Sequence, residues 1–309
     1  MNIVILGATG LVGHSLWRSW RRRGWNVLGT ARSREFPGIE RLDIQDGAAL
    51  RDLLRRAQPE ITVLAASNPN VDFCERDPAQ TREINVEATL DVARAVSEVG
   101  GTLVFFSSDY VFDGSRPYFV ENDPVAPLNE YGRQKAEAER GVARLAPRYL
   151  ILRISGVFGW ELARKNFVLQ ILDRAHEKNQ IKVARDLWYH PTYAPNLAGV
   201  LEGLFASGAR GVYHAAGADE FSRFDFAVEI ARCFSLDERR IEPARFQDIL
   251  GVAPRPARSS LRSVRLDPSA QNGLCGARDG LLDMRRTQGE WVQYLEEYGV
   301  ATKGIGGGA

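Results

Sequence analysis

The opening of this chain constrains its fold more than any other stretch. The apolar run Asn2–Leu6 passes through Gly7-Ala8-Thr9-Gly10-Leu11-Val12-Gly13 directly into an amphipathic segment reaching Arg23. A strand that turns on glycines straight into a helix is the first unit of a parallel sheet wound with helices. Small residues let the turn tighten and bring the backbone close to a ligand. The start of the helix then presents free N–H groups and the positive end of its dipole to a phosphate. Gly7, Gly10, Leu11, Val12 and Gly13 are therefore the candidate cradle for the diphosphate of a nicotinamide dinucleotide.

The first half continues the same alternation. Strands are expected at Asn2–Leu6, Asn26–Thr30, Ile39–Leu42, Ile61–Ala65, Leu103–Ser107 and Tyr149–Ile154. They are rich in Val, Ile and Leu, as strands covered on both faces are. Helical patterns separate them at Leu11–Arg23, Gly47–Ala57, Ala79–Val99 and Glu130–Leu145, with Asp77-Pro78 as cap and first-turn proline for the third. Beyond about residue 155 the pattern loosens. Helices are expected at Asn166–Lys178, Pro195–Phe205 and Gln288–Tyr298, a strand at Gly211–Ala215, and irregular chain from Pro243 to Pro268. The fold class is α/β: a doubly wound parallel (Rossmann) sheet with a smaller C-terminal substrate-binding lobe. Residues 1–155 and about 190–216 form the first domain, about 156–189 and 217–300 the second, and the glycine-rich 304–309 a disordered tail.

Composition removes several function classes. Lys+Arg 40 against Asp+Glu 39 leaves a net charge of +1, so no global field calls for nucleic acid or an acidic membrane. The basic cluster Arg18, Arg21, Arg22, Arg23 ends a helix before Gly24 and reads as a solvated face. Three scattered cysteines suit neither a disulfide framework nor a zinc site, and His14, His176, His190 and His214 show no metal-ligand spacing, so no metal is expected. With no leader pattern and no apolar run near ~18 residues, the expected location is the cytoplasm. His14 is expected to pack within the first helix and His214 to be a core residue. Trp160, Trp188 and Tyr189 remain open between pocket and core.

NAD-binding folds use an acid about twenty residues beyond the glycine loop to grip the ribose hydroxyls. Here that stretch reads Gly29-Thr30-Ala31-Arg32-Ser33-Arg34, with no acid before Glu35. A guanidinium matches a 2′-phosphate, so Arg32 points to NADP (NADPH), with NAD as the alternative.

Two further segments carry chemistry: Ser107-Ser108-Asp109-Tyr110-Val111 and Tyr131-Gly132-Arg133-Gln134-Lys135. Tyr131 and Lys135 share one helix face, where the ammonium is expected to lower the phenol's pKa toward working pH. The tyrosine can then give a proton to a carbonyl oxygen while hydride reaches the carbon, and Ser108 can hold that oxygen.

With these residues in place, the chain resembles the extended short-chain dehydrogenase/reductases, in the branch containing dTDP-4-dehydrorhamnose reductases and the methionine adenosyltransferase regulatory β subunits. The resemblance spans nearly the whole chain, from the Gly7–Gly13 loop through Ser108–Gly114, Tyr131-Gly132 with Lys135, Asn166-Phe167, Pro191-Thr192 and Gly211–His214 to Arg255-Pro256. It implies a catalytic set of Ser108, Tyr131 and Lys135, with Tyr131 and Lys135 also on the cofactor and Asn85 supporting helix geometry and a proton path. It further implies Asp43 and Ile44 beside the adenine, and Ala65 and Ala66 beside the riboses and phosphates. Ser108, Asp109, Tyr110, Val111, Asn166 and Arg255 would meet the substrate. The implied reaction is NADPH-dependent reduction of the 4-keto group of a nucleotide-linked deoxysugar, and a homodimer is allowed for. The alternatives are an epimerase or dehydratase of the same superfamily, and a non-catalytic NADP-binding regulatory subunit. Two departures fall on the sugar side. Gly156 stands where that branch has a substrate-facing tryptophan, and Ser67-Asn68-Pro69-Asn70 replaces a shorter Tyr-Thr.

Overall fold

Alternate residues of each strand bury on opposite faces, and that period of two organises the molecule. A computed structural model describes residues 1–301 apart from His176, Lys178 and Leu250. The expected tail at 304–309, His176 and the end of the helix expected over Asn166–Lys178 lie outside the described residues. Strand β1 (Asn2–Leu6) leads into α1 (Leu11–Arg22), followed by β2 (Asn26–Ala31), β3 (Ile39–Arg41), α2 (Gly47–Ala57) and β4 (Ile61–Leu64). Next comes α3, built of Pro78–Arg82, a π turn Glu83–Glu87 and Ala88–Glu98, then β5 (Thr102–Ser108), α4 (Glu130–Leu145) and β6 (Tyr149–Ile154). Helix α5 (Asn196–Ala206) and β7 (Gly211–His214) complete the sheet, and α6 (Gln288–Glu297) closes the described chain. The strands lie in the order β3-β2-β1-β4-β5-β6-β7, every pair parallel.

Both faces are covered. On one, Ile3 and Ile5 join Val63, Val104, Leu152, Trp17 and Trp20 of α1, Leu197 and Leu201 of α5, and Trp291 and Leu295 of α6. On the other, Val4 and Leu6 join Leu53, Val92, Phe105 and Val142. A third cluster contains no residue of the seven strands. Phe158, Leu169, Ile181, Tyr189, Phe226, Ile230, Leu281 and Met284 form it.

Several elements differ from expectation. The helices Val71–Arg76, Arg223–Cys233 and Ala277–Arg286 were not expected. The helix expected over Ala79–Val99 contains a π turn, which changes the direction in which Asn85 points. Helix α6 packs on the sheet side, although sequence order groups it with the second lobe. Of the arginines in and just after α1, Arg21, Arg22 and Arg23 are exposed as expected, while Arg18 is half-buried. Arg18 lies 4.0 Å from the Tyr294 ring centroid, Arg21 lies 4.6 Å from Trp17, and Arg23 pairs with Glu202. Arginine stacks on aromatic faces at little desolvation cost, which fixes α6 against α1. His14 belongs to the same packing: its Nδ1 meets the Ala8 carbonyl at 3.1 Å and its Nε2 the Tyr294 hydroxyl at 2.9 Å. Among the described residues no helix is long and apolar enough to cross a membrane.

Candidate active site

The glycine loop lies between β1 and β4, where the strand order reverses and the carboxyl ends of the sheet open a crevice. Gly7 has φ +91°, and a Cβ there would fall 2.6 Å from the Ala66 nitrogen. A Cβ on Gly13 would fall 2.2 Å from the Gly7 carbonyl oxygen, so both positions exclude any larger residue. Around Gly10, the nearest atom to such a Cβ is the Gly7 oxygen at 3.5 Å. Helix α1 starts at that glycine with no side-chain cap and no acid in its first turn. Uncapped N–H groups beside Leu11, Val12 and Gly13 suit an anion, and the cradle fits a dinucleotide diphosphate. Ala65 and Ala66, half-buried, follow β4 across from Gly7. Asp43, half-buried after β3, accepts from the Gln45 N–H at 3.1 Å, while Ile44 is buried with Leu42 and Leu50. Arg32 is exposed just past β2; Arg34 instead donates to the Leu162 carbonyl at 2.6 Å.

Strand β5 delivers Ser108, and α4 delivers Tyr131 and Lys135, one turn apart. The Asn129 side chain caps α4 by accepting from the Gly132 N–H at 2.9 Å, which fixes the helix start on which Tyr131 sits. Gly132 admits the Tyr110 carbonyl so closely that a Cβ would lie 2.1 Å from it. Buried Lys135 donates from Nζ to the Phe106 carbonyl at 2.9 Å and stands 5.9 Å from the Tyr131 ring centroid. Burial depresses its pKa to about 8, opposed by the negative charge of Glu139.

The tyrosine behaves differently from expectation. Burial pushes its pKa above the ordinary value of 10, and the Asp109 charge adds to the rise. A hydrogen bond with Ser108 works the other way. Loss of water outweighs a lysine that is itself partly spent on a backbone carbonyl. Tyr131 is therefore held as the protonated phenol, the form a proton donor needs.

Asn85 reaches the site through the π turn of α3. Its Oδ1 accepts from the Asn68 N–H at 2.8 Å, and its Nδ2 donates to the Asn68 carbonyl at 3.1 Å and to Gln134 Oε1 at 2.8 Å. One amide thus clamps the Ser67–Asn70 loop to the helix carrying Tyr131 and Lys135.

Next to Ser108, Asp109 is buried under three serine hydroxyls. Ser108 donates to its Oδ1 at 2.8 Å, and Ser155 and Ser259 donate to its Oδ2 at 2.8 and 2.6 Å. Burial nevertheless raises its pKa. Half-buried Tyr110 packs edge-on against Tyr131 at 6.2 Å. The other residues expected to meet the substrate have protein partners of their own. Val111 is fully buried with Phe112, Phe119 and Leu261. Asn166 caps the helix Phe167–Arg174 and donates to the Gly159 carbonyl at 2.9 Å. Arg255 pairs with Asp72 at 3.1 Å and donates to the Ala253 carbonyl, so it is not a free clamp.

The sequence reading missed Arg223, Ser155 and Ser259. Arg223 is half-buried, lies beside the Tyr110 hydroxyl, and is 5.4 Å from the ring centroids of both Tyr189 and Phe167. A signal existed: Ser222-Arg223-Phe224-Asp225 has the capping spacing that starts a helix, and Ser222 does cap Arg223–Cys233. Ser155 and Ser259 are 46 and 150 positions from Asp109, beyond any local pattern.

Comparison with known proteins gives matches over most of the chain. A family model described as "RmlD substrate binding domain" matches residues 1–285. The dTDP-4-dehydrorhamnose reductase of Burkholderia thailandensis is 33% identical over 285 residues, covering 86% of this chain and 92% of that protein. Methionine adenosyltransferase 2 subunit beta of Xenopus tropicalis is 30% identical over 272 residues, covering 85% and 81%. The crystal structure of a Bacillus anthracis dTDP-4-dehydrorhamnose reductase in complex with NADP superposes with a TM-score of 0.84 at 26% identity, covering 92% of this chain and 98% of that one.

Proposed function

This chain belongs to the RmlD substrate-binding-domain family of extended short-chain dehydrogenase/reductases, and from that premise we propose that it is an NADPH-dependent reductase acting on a carbonyl of a nucleotide-linked sugar. The observation that carries the reading is the convergence of Ser108, a protonated Tyr131 and a buried Lys135 at the carboxyl end of β5. The NADP complex of the Bacillus anthracis relative supports the cofactor, and exposed Arg32 in place of an acid supports the phosphorylated form.

The glycine loop would hold the diphosphate, with Arg32 near the adenosine ribose. When bound, NADPH supplies the hydride. The Ser108 hydroxyl, released from Asp109, would donate to the substrate carbonyl oxygen. Tyr131 would give its phenolic proton to that oxygen as the carbon is reduced, and the Lys135 ammonium would stabilise the phenolate left behind. Asn85 keeps α4 and the Ser67–Asn70 loop in register.

A second reading comes from the relatives named as a methionine adenosyltransferase subunit: an NADP-binding subunit that performs no reduction. Both readings are tested by following NADPH oxidation across a panel of nucleotide-linked 4-ketosugars. Turnover of any member supports the reductase. Stoichiometric NADPH binding with no turnover across the panel favours the subunit.

A further inference from the structure

Arg223 makes no direct ion pair among the described residues, and the carboxylate whose charge reaches it is that of buried Asp109. Among the described residues no acid lies within ion-pair distance of it; its neighbours are the Tyr110 hydroxyl and the faces of Phe167 and Tyr189. Asp109 acts on it through its charge alone, its two oxygens accepting from the hydroxyls of Ser108, Ser155 and Ser259. A half-buried guanidinium with no carboxylate in direct contact leaves its fork of N–H donors open to an oxyanion.

A second observation falls on the same spot. Tyr189 is 6% exposed, and its hydroxyl is buried without any hydrogen-bond partner. An orphaned buried donor forfeits its hydration for nothing in return. Tyr189 and Arg223 are placed together by a short antiparallel ladder in which Phe221 pairs with Tyr189, tightened where the Arg223 N–H donates to the Leu187 carbonyl at 2.9 Å. Gly156, with φ +49°, lets the Tyr189 ring lie where a larger residue would stand. The Tyr110 hydroxyl then links this pair to Tyr131, whose ring Tyr110 contacts.

We propose that Arg223, Tyr189 and Tyr110 form an oxyanion-binding subsite beside the reacting carbonyl. The substrate would present a carboxylate or a phosphate there. Arg223 supplies the charge in a fork that matches either group, and the Tyr189 hydroxyl donates to the same oxyanion. The inference rests on the nucleotide-sugar reading but is tested by binding alone, so the absence of turnover does not decide it.

Calorimetric titration with UDP-glucuronic acid, UDP-glucose and UDP distinguishes the two sources, using the parent chain with NADPH bound. If the source is a sugar carboxylate, UDP-glucuronic acid binds on the order of ten-fold or more tighter than UDP-glucose, and Arg223→Ala removes the difference. If the source is the diphosphate, all three ligands weaken by a similar factor in Arg223→Ala. Tyr189→Phe should give a smaller loss in the same pattern, with NADPH affinity unchanged in both variants. The proposal is overturned if Arg223→Ala, folded and still binding NADPH, binds all three ligands as the parent does. It is equally overturned if the parent binds none of them.

Discussion

Tyr189 occupies the space that a side chain at Gly156 would need: an ideal Cβ on Gly156 would lie 2.1 Å from Tyr189 Cε2. The residue that fills this side of the site thus comes from a strand 33 positions away, and the glycine's left-handed backbone permits it. Gly156→Ala should displace the ring and strain the backbone together, costing roughly 1–3 kcal/mol. Urea unfolding would register this as a lower midpoint at unchanged slope. An unchanged midpoint would show that the packing does not hold Tyr189 in place.

Tyr131→Phe removes only the hydroxyl of a residue in an intact helix. NADPH binding should survive, while turnover on an accepted ketosugar falls on the order of 10²–10⁴-fold. A variant as fast as the parent would eliminate Tyr131 as proton donor.

The pH profile should be set by Lys135. Burial raises the Tyr131 pKa above 10 but lowers that of Lys135 to about 8, so the lysine loses its proton first as pH rises. Neutral lysine cannot support the phenolate formed in the reaction, and the rate should decline as pH passes through about 8. A profile flat to pH 10 would contradict this assignment.

Acid should destabilise the fold through His14, which is 1% exposed. Burial depresses its pKa from 6.5 to about 4. The unfolded imidazole therefore takes up a proton at a pH where the folded one resists, and stability is lost as pH falls from 6.5 toward 4. Between pH 7 and 5 the loss from this group is roughly 2 kcal/mol. His214, also lowered to about 4 by burial, acts in the same direction. Equal unfolding free energies at pH 7 and 5 would refute the buried neutral histidines.

Arg32 should set cofactor preference. The parent should bind NADPH about ten-fold or more tighter than NADH, and Arg32→Ala should narrow the gap. Equal affinities in the parent would return the position to an ordinary surface charge.

The parts whose physics is local can be read along the chain. Gly7 to Gly13 announce their turn because each glycine answers a steric demand within a few residues. Strands β1 and β6 and helices α2 and α4 are legible because burial follows a period of two or 3.6 along the chain. Tyr131 and Lys135 could be paired in advance because a helix fixes what lies four positions on. Tertiary structure decided the rest. Asp109 acquires serines from positions 155 and 259, Asn85 finds Asn68 and Gln134 only after a π turn redirects it, and helix α6 returns to α1 through Arg18 and His14. The Tyr131 pKa is in the same class. Spacing gives its distance from Lys135, but how much water the fold removes depends on Asp109, Tyr110 and every segment laid over them. Arg223 meets Tyr189 for the same reason: a hydrogen-bonded ladder and a glycine far along the chain bring them together, and no pattern of neighbours in the sequence contains that contact.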